Sequence, residues 1–136
     1  MLERFSISID RKLIAAFDRH IKAKKYRNRS EAIRDLIRKA LIRQEWDADE
    51  EVVGVVTLVF NHHQRQLQDT MTELQHDHHH LVVSTTHIHL GKHDCLEVII
   101  ARGKASRVQS LAESLIALRG VKDGSLTMSS AGASLS

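Results

Sequence analysis

The sequence predicts an α+β protein with a short strand and two helices first, followed by a β-α-β-β-α-β unit. Three patterns support this prediction: strict alternation over residues 4–9, helical spacing of apolar residues up to about residue 41, and new strand-like and helix-like segments from residue 53. The chain has 136 residues, which is enough for one ordinary domain or two very small ones.

The first 45 residues predict a strand, a helix and a second helix. Phe5, Ile7 and Ile9 share one strand face, and Asn28 followed by Glu31 has the pattern of a helix-capping box. Such a unit is too small to bury a core, and a lone strand has no partner for its backbone groups. We therefore expect two chains to pair their strands and interlock their helices.

Charge is distributed unevenly along the chain. Residues 1–45 carry 13 Lys and Arg against 6 Asp and Glu, whereas residues 46–136 carry 7 against 11. A basic head on an acidic remainder suggests a polyanion-binding domain at residues 1–45, joined by an acidic hinge at residues 46–52. The sequence has one cysteine, no signal-peptide pattern and no apolar run of membrane-spanning length, so we expect a cytoplasmic protein without a membrane partner.

Residues 53–130 predict the second unit, with strands and helices in the order of a split ferredoxin-like fold. The first strand is the buried run VGVVTLVF, and two further strands flank the turn GKHD. Residues 131–136 are small and polar, and a frayed tail is expected there.

The two strands around that turn carry the candidate metal ligands. His87 and His89 lie two residues apart and share a strand face. If His89 lies opposite Cys95, then His87 lies opposite Glu97 on the same face. A thiolate with two imidazoles suits Zn(II), Ni(II) or copper and is poor for magnesium or calcium. Glu97 is expected to support the ligands as a hydrogen-bond acceptor or ion-pair partner.

Other interpretations of these residues are open. Each histidine alone is more often a surface residue, and the cysteine alone is more often a small packed side chain. Spacing does not choose the fourth ligand, since four upstream histidines qualify: His76, His78, His79 and His80. Two alternative functions without a DNA role are a metal store and a His2Cys zinc enzyme. No general base other than Glu97 and no substrate pocket are evident, so we expect no enzyme activity.

Residues 4–43, through RFSISI and YRNRSEAIRDLIR, resemble ribbon-helix-helix DNA-binding domains. The whole chain resembles the NikR family of nickel-responsive regulators, through QHDHH at 75–79, HIHLGKHDCLE at 87–97 and RGV at 119–121. The resemblance implies a planar site for about one Ni(II) per subunit, formed by His87, His89 and Cys95 with His76 of a neighbouring subunit. It also implies a homotetramer built as a dimer of dimers.

The same resemblance implies binding of a palindromic double-stranded DNA operator and repression of nickel uptake when the metal is plentiful. The residues that match the DNA-contacting positions are Arg4, Ser6, Ser8, Asn28, Arg29, Ser30 and Arg65. A second, weaker cation site between head and body is implied as well, at Glu31, Asp35, Ile116, Leu118 and Val121. Six further histidines receive no role from the sequence: His62, His63, His78, His79, His80 and His93.

Overall fold

The computed structural model describes all 136 residues, which divide into two compact units, Met1–Lys39 and Ala40–Ser136. No helix is long and apolar enough to cross a membrane. The elements follow in this order: α1 (Arg11–Ala23), α2 (Arg29–Asp47), β1 (Glu51–Asn61), α3 (Arg65–Asp77), β2 (Val82–His89), β3 (Asp94–Lys104), α4 (Ala105–Ile116) and β4 (Val121–Ser130).

Local capping signals set the ends of α1. The Asp10 carboxylate accepts a hydrogen bond from the Lys12 amide (2.8 Å) and so satisfies one of the free donors at the helix start. At the other end Lys25 adopts φ 62°, and the Tyr26 amide donates to the Ile21 carbonyl (3.0 Å). This is a Schellman-type stop, which turns the chain sharply before α2 begins.

Residues 4–9, predicted as a strand, form none in the single chain. The side chains of the apolar face are exposed, with Phe5 at 70%, Ile7 at 61% and Ile9 at 39%. A strand requires ladder hydrogen bonds from a neighbour, and no other segment of this chain supplies them. An apolar stripe left in solvent is the surface that a second chain would cover in a two-stranded ribbon.

The acidic segment predicted as a hinge over residues 46–52 is shorter in the structure, because α2 continues to Asp47 and β1 begins at Glu51. Trp46 is only 7% exposed, and its indole Nε1 donates to the Ser129 carbonyl (2.9 Å). Ile42 lies one helical turn earlier and packs against the same core. The many acidic residues of this segment suggested a hinge, although the segment also contains Trp46, which packs in the core. Only residues 48–50 connect the helix to the strand.

The second unit has the predicted ferredoxin-like arrangement. Its four strands form one sheet in the order β2-β3-β1-β4, and the neighbouring strands are antiparallel. β1 lies between β3 and β4, and its burial alternates residue by residue because one face packs on the helices. That face buries Val52, Val56, Leu58 and Phe60 almost completely.

Helices α3 and α4 complete this core with apolar residues at helical spacing. α3 contributes two buried side chains and α4 contributes five: Leu67 and Met71, then Ala105, Val108, Leu111, Ala112 and Leu115. Cys95 of β3 is fully buried in the same cluster. The core therefore reaches the end of the sheet where the candidate metal ligands lie.

We expect Gly54→Ala to destabilise the second unit by about 1–3 kcal/mol, the usual cost of overpacking a core. A Cβ at Gly54 would lie 2.6 Å from Cγ1 of Val108, 3.0 Å from Cδ1 of Leu126 and 3.2 Å from the Trp46 ring. Gly91→Ala is the matched control, because a Cβ there meets no atom within 4 Å. Urea unfolding followed by circular dichroism measures both variants, and equal midpoints would contradict the close packing at Gly54.

The C-terminal residues 131–136, predicted as a frayed tail, are hydrogen-bonded in the structure. Glu45 near the end of α2 accepts hydrogen bonds from the Ser134 hydroxyl and from the Ser130 hydroxyl (3.1 Å). The Gly132 amide donates to the Ser130 hydroxyl (2.9 Å). Of the residues that suggested fraying, Ser134 therefore acts as a hydrogen-bond partner for the buried carboxylate of Glu45.

Candidate metal centre and DNA-contact residues

The hairpin of β2 and β3 brings His89 and Cys95 together. His89 is paired with Cys95 and His87 with Glu97, which confirms the register predicted from the sequence. Directly opposed residues of a sheet point to the same face. Nδ1 of His89 lies 3.4 Å from Sγ of Cys95. Two candidate ligands are therefore in contact within one chain.

Strand β1 brings a third donor, His62, to the same place. Phe60 of β1 is paired with Cys95, and the His62 amide, two residues further on, donates to the His93 carbonyl (2.8 Å). Sγ of Cys95 and one ring nitrogen each of His62 and His89 lie within 4.8 Å of one another. Sequence reasoning gave His62 no role. The available signal was the pairing of β1 with β3, because His62 directly follows β1.

His87 lies beside this trio of His62, His89 and Cys95 but is not part of it. Its ring centroid is 5.3 Å from that of His89 and 5.9 Å from that of Phe60. Same-face neighbours along a strand are about 6.6 Å apart. The register places His87 on one side of the His89–Cys95 pair, toward the middle of the strands, and His62 on the other side, toward the hairpin turn.

Glu97, opposite His87, belongs to a hydrogen-bonded chain of side chains. Gln75 of α3 donates to the Glu97 carboxylate and accepts a hydrogen bond from the Thr85 hydroxyl (2.7 Å). Burial raises the pKa of Glu97, while the neighbouring His87 and the hydrogen bond from Gln75 act in the opposite direction. Glu97 is therefore placed to orient the hairpin. Through Gln75 it also links the end of α3 to the strands that carry the candidate ligands.

The protonation states of the donors follow from their surroundings. Burial raises the pKa of the Cys95 thiol, and the nearby carboxylates of Asp94 and Glu97 raise it further. Burial also lowers the pKa of His62, as do neighbouring histidines, so its imidazole favours the neutral form that binds metals. A thiol releases its proton when it binds a metal cation, and thiolate and imidazole together suit Ni(II), Zn(II) or copper. The donors present therefore fit a nickel ion by their chemistry.

His76, predicted as the fourth ligand, lies at the end of α3 with an exposed side chain. Its ring centroid is 6.2 Å from that of His79, and Nδ1 of His79 lies 3.1 Å from the His76 carbonyl oxygen. Nδ1 of His78 lies 2.9 Å from the Leu74 carbonyl oxygen. His76 is outside the trio, and its predicted role concerns a second chain.

The predicted base-contacting residues Arg4, Ser6 and Ser8 are all exposed. They alternate with the apolar side chains that a partner strand would cover, so ribbon formation would present them together on one face. The Asn28 side chain accepts a hydrogen bond from the Glu31 amide (2.9 Å), which confirms the predicted cap of α2.

The other predicted DNA contacts lie at helix starts. Nε and Nη2 of Arg29 donate to the two carboxylate oxygens of Asp18, each at 2.9 Å, so this guanidinium already has an anionic partner. Ser30 is exposed, and its carbonyl accepts a hydrogen bond from Nε of Arg34 (3.3 Å). Arg65 is exposed at the first residue of α3.

The Asp18–Arg29 ion pair makes stability in acid depend on Asp18. The hydrogen bond from Arg29 holds the pKa of Asp18 below its usual value of 3.8. The pair therefore stabilises the fold fully above that value, and the contribution is lost as the pH falls through the lower pKa of the folded state. We expect Asp18→Asn to lower the melting temperature at neutral pH but not in strong acid, where Asp18 of the wild type is protonated as well. The decrease should be small, because an exposed ion pair contributes little to stability. Thermal melts across this range, with the exposed Asp69→Asn as control, test the prediction, and an equal difference at every pH would contradict it.

One residue of the predicted second cation site, Asp35, already has other partners. Asp35 accepts a hydrogen bond from the Tyr26 hydroxyl and an ion pair from Lys39 (3.1 Å). Glu31 lies in the first turn of α2. The other three residues of this predicted site lie from the end of α4 to the start of β4: Ile116, Leu118 and Val121. This second site stays a prediction.

Two family models together match most of the chain. The model of the ribbon-helix-helix protein, copG family, matches residues 3–44, and the model of the NikR C terminal nickel binding domain matches residues 53–129. A solved structure of an uncharacterized protein from Thermotoga maritima has a TM-score of 0.52 with 13% identity, and covers 57% of this chain and 96% of its own. At that identity the likeness concerns the fold alone.

Relatives match over nearly the full length. One from Desulfotalea psychrophila is 56% identical over 135 residues, which covers 99% of both chains. One from Geobacter metallireducens is 55% identical over 133 residues, or 97% of this chain and 96% of its own. Both are provisionally named nickel-responsive regulators. The chain therefore belongs to the NikR family, with a ribbon-helix-helix domain before a NikR C-terminal nickel-binding domain.

Proposed function

We propose that this protein is a transcriptional regulator that binds a palindromic DNA operator in response to Ni(II). The observation that carries this proposal is the contact between Nδ1 of His89 and Sγ of Cys95 at 3.4 Å, in a chain that begins with a ribbon-helix-helix domain. The contact pairs a thiol with an imidazole, which is a soft donor set. A metal site and a DNA-binding domain in one chain are the two parts that a metal-responsive regulator requires.

The proposed nickel ligands are His87, His89 and Cys95 of one chain with His76 of the partner subunit. Nickel, when bound, supplies a link between the two chains. Gln75 donates a hydrogen bond to Glu97 of β3 and accepts one from Thr85 of β2, which ties the end of α3 to both strands that carry the proposed ligands. A bridging site at about one ion per subunit fits a homotetramer that is a dimer of dimers. The exposed His76 and the exposed edge strand β2 support this assembly.

The proposed DNA surface is the basic N-terminal part of the chain. Residues 1–45 carry 13 basic side chains against 6 acidic ones, which favours binding to phosphate. Arg4, Ser6 and Ser8 are of the types that read base edges, since arginine donates two hydrogen bonds to guanine and serine donates or accepts. Two copies of this surface at a fixed separation require an operator with two half-sites.

Helix α3 gives a physical route between the two activities. The helix runs from Arg65, a proposed DNA contact, to His76, a proposed metal ligand, followed by Asp77. Holding His76 in place orders the helix and hence the position of Arg65. Couplings between binding sites are typically about 1–3 kcal/mol, and DNA must then tighten metal binding by the same factor. We propose that the protein acts in the cytoplasm and represses the genes for nickel uptake, since import is unnecessary when the metal is plentiful.

The experiment that tests this function selects sequences from a random DNA library on the immobilised protein with and without Ni(II). We expect one palindrome with two separated half-sites to be enriched with Ni(II) only. Cys95→Ala protein, treated in the same way, should enrich nothing beyond background. Enrichment that is equal with and without the metal, or absent from both selections, would overturn the proposal.

A further inference from the structure

His62 is placed to be a metal ligand that needs no second chain. It lies immediately after β1, and its amide donates to the carbonyl of His93 at 2.8 Å, which holds it beside the residue that precedes β3. One of its ring nitrogens is within 4.8 Å of the donor atoms of His89 and Cys95. The ring centroids of His62 and His89 are 5.5 Å apart.

The Nδ1 atom of His62 is a buried polar atom without a hydrogen-bond partner. Such atoms are uncommon in folded proteins, and a metal ion is one of the partners that can satisfy them. The adjacent His63 differs, because its Nε2 lies 3.2 Å from the Lys92 carbonyl oxygen at the hairpin turn. Of these two neighbouring histidines, only His62 has a buried ring nitrogen without a hydrogen-bond partner.

We propose that His62, His89 and Cys95 of a single chain form an alternative three-donor site for a thiophilic divalent cation, with Zn(II) as the best match. Zinc takes sulfur at about 2.3 Å and imidazole at about 2.0 Å, so two of its ligands lie about 3.5 Å apart. The distance from Nδ1 of His89 to Sγ of Cys95, 3.4 Å, already has this value. The His62 ring nitrogen, now within 4.8 Å of both other donors, has to move about 1 Å closer to close the site, and solvent completes the zinc coordination.

This intrachain site competes with the proposed nickel site, because both use His89 and Cys95. The zinc site takes His62 on the turn side of that pair, whereas the nickel site takes His87 on the other side and His76 of the partner subunit. One chain therefore holds one ion or the other. A cation held by the trio links no second chain, so it does not order the assembly as nickel does. The intrachain site forms whether or not the nickel proposal holds.

The test measures affinities of the full-length protein for Zn(II) and Ni(II), by competition with a chromophoric chelator, in four variants. They are His62→Ala, His62→Gln, His63→Ala as the matched control, and His76→Ala. Circular dichroism checks that each variant folds, and glutamine retains the bulk of the half-buried His62 side chain. Co(II), a spectroscopic substitute for zinc, reports directly whether the thiolate is bound.

We expect both His62 variants to bind Zn(II) at least about tenfold more weakly, the smallest loss seen when even a supporting group of a metal ligand is removed. Their Ni(II) affinity should be unchanged, His76→Ala should lose Ni(II) affinity alone, and His63→Ala should change neither. A Zn(II) affinity that is unchanged in folded His62 variants, or that falls in His76→Ala, would overturn the intrachain site. Failure of the nickel proposal looks different, because wild-type protein would then lack a Ni(II)-thiolate signal while His62 still governed Zn(II).

Discussion

Cys95→Ala is expected to lower the affinity for Ni(II) by at least about a hundredfold, which is the upper end of the loss caused by removing a group that only supports a ligand. It should also remove the thiolate-to-nickel absorption band. Cys95 is the only cysteine, and its Sγ lies at the centre of the candidate site, in contact with His89 and within 4.8 Å of a ring nitrogen of His62. Titration of the metal-free protein with Ni(II), followed by absorption, measures both effects. The wild-type band should saturate at about one equivalent per chain.

Cys95→Ala changes the stability of the protein as well as its affinity for the metal, and the two effects have to be separated. Cys95 is fully buried, so alanine leaves a small cavity that costs about 1 kcal/mol, which the chain should tolerate. Cys95→Ser is the matched variant, since it keeps the size and offers a poor donor for nickel. His76→Ala should alter the spectrum without abolishing it, because the thiolate remains. A weak, featureless binding curve that is the same with and without Cys95 would contradict the nickel site.

The second large effect is expected in the double variant Arg4→Ala, Ser6→Ala, which should lose operator binding while it keeps its affinity for Ni(II). A good bidentate contact to a base contributes about 1–3 kcal/mol, so loss of Arg4 alone weakens binding by about tenfold or more. Both side chains are exposed on the segment before α1, far along the chain from the metal ligands. Fluorescence anisotropy with the selected operator measures the loss.

The control for this variant is Arg107→Ala with Ser110→Ala, which removes the same two residue types from the exposed surface of α4. We expect it to bind the operator as the wild type does. The affinities of the two double variants for random-sequence DNA should differ much less. Binding to such DNA depends mainly on phosphate contacts, which carry no sequence information. Operator binding that survives the Arg4 and Ser6 substitutions would show that the strand face does not read the DNA.

The relation between sequence and structure is clearest at the β2–β3 hairpin. A strand repeats every two residues and a tight turn sets its register, so the pairing of His89 with Cys95 and of His87 with Glu97 follows from local spacing alone. The order of elements in the second unit is local information of the same kind. The helix cap at Asn28 is another example, because its partner is the Glu31 amide three residues away.

Contacts between distant segments were not predictable in this way. His62 received no role, since its approach to Cys95 depends on the pairing of β1 with β3, more than thirty residues apart in sequence. Trp46 and the C-terminal serines have polar or acidic neighbours, which suggested a hinge and a loose tail. They are instead held by Ser129 and Glu45, about eighty residues distant. The composition of a segment indicates which structures it can form, whereas its burial depends on which other segment packs against it.

By itself, the sequence determined the α+β class, the basic head, the order of the elements and the thiol–imidazole pair, because each depends on the period of a strand or helix or on summed charge. Only the tertiary structure decided that His62 joins this pair and that His87 lies beside the trio. The reason is that a metal site is assembled from neighbours in space, and β1 reaches Cys95 through the central pairing of the sheet. The strand predicted at residues 4–9 extends the same reasoning, because its backbone hydrogen bonds would have to come from a second chain.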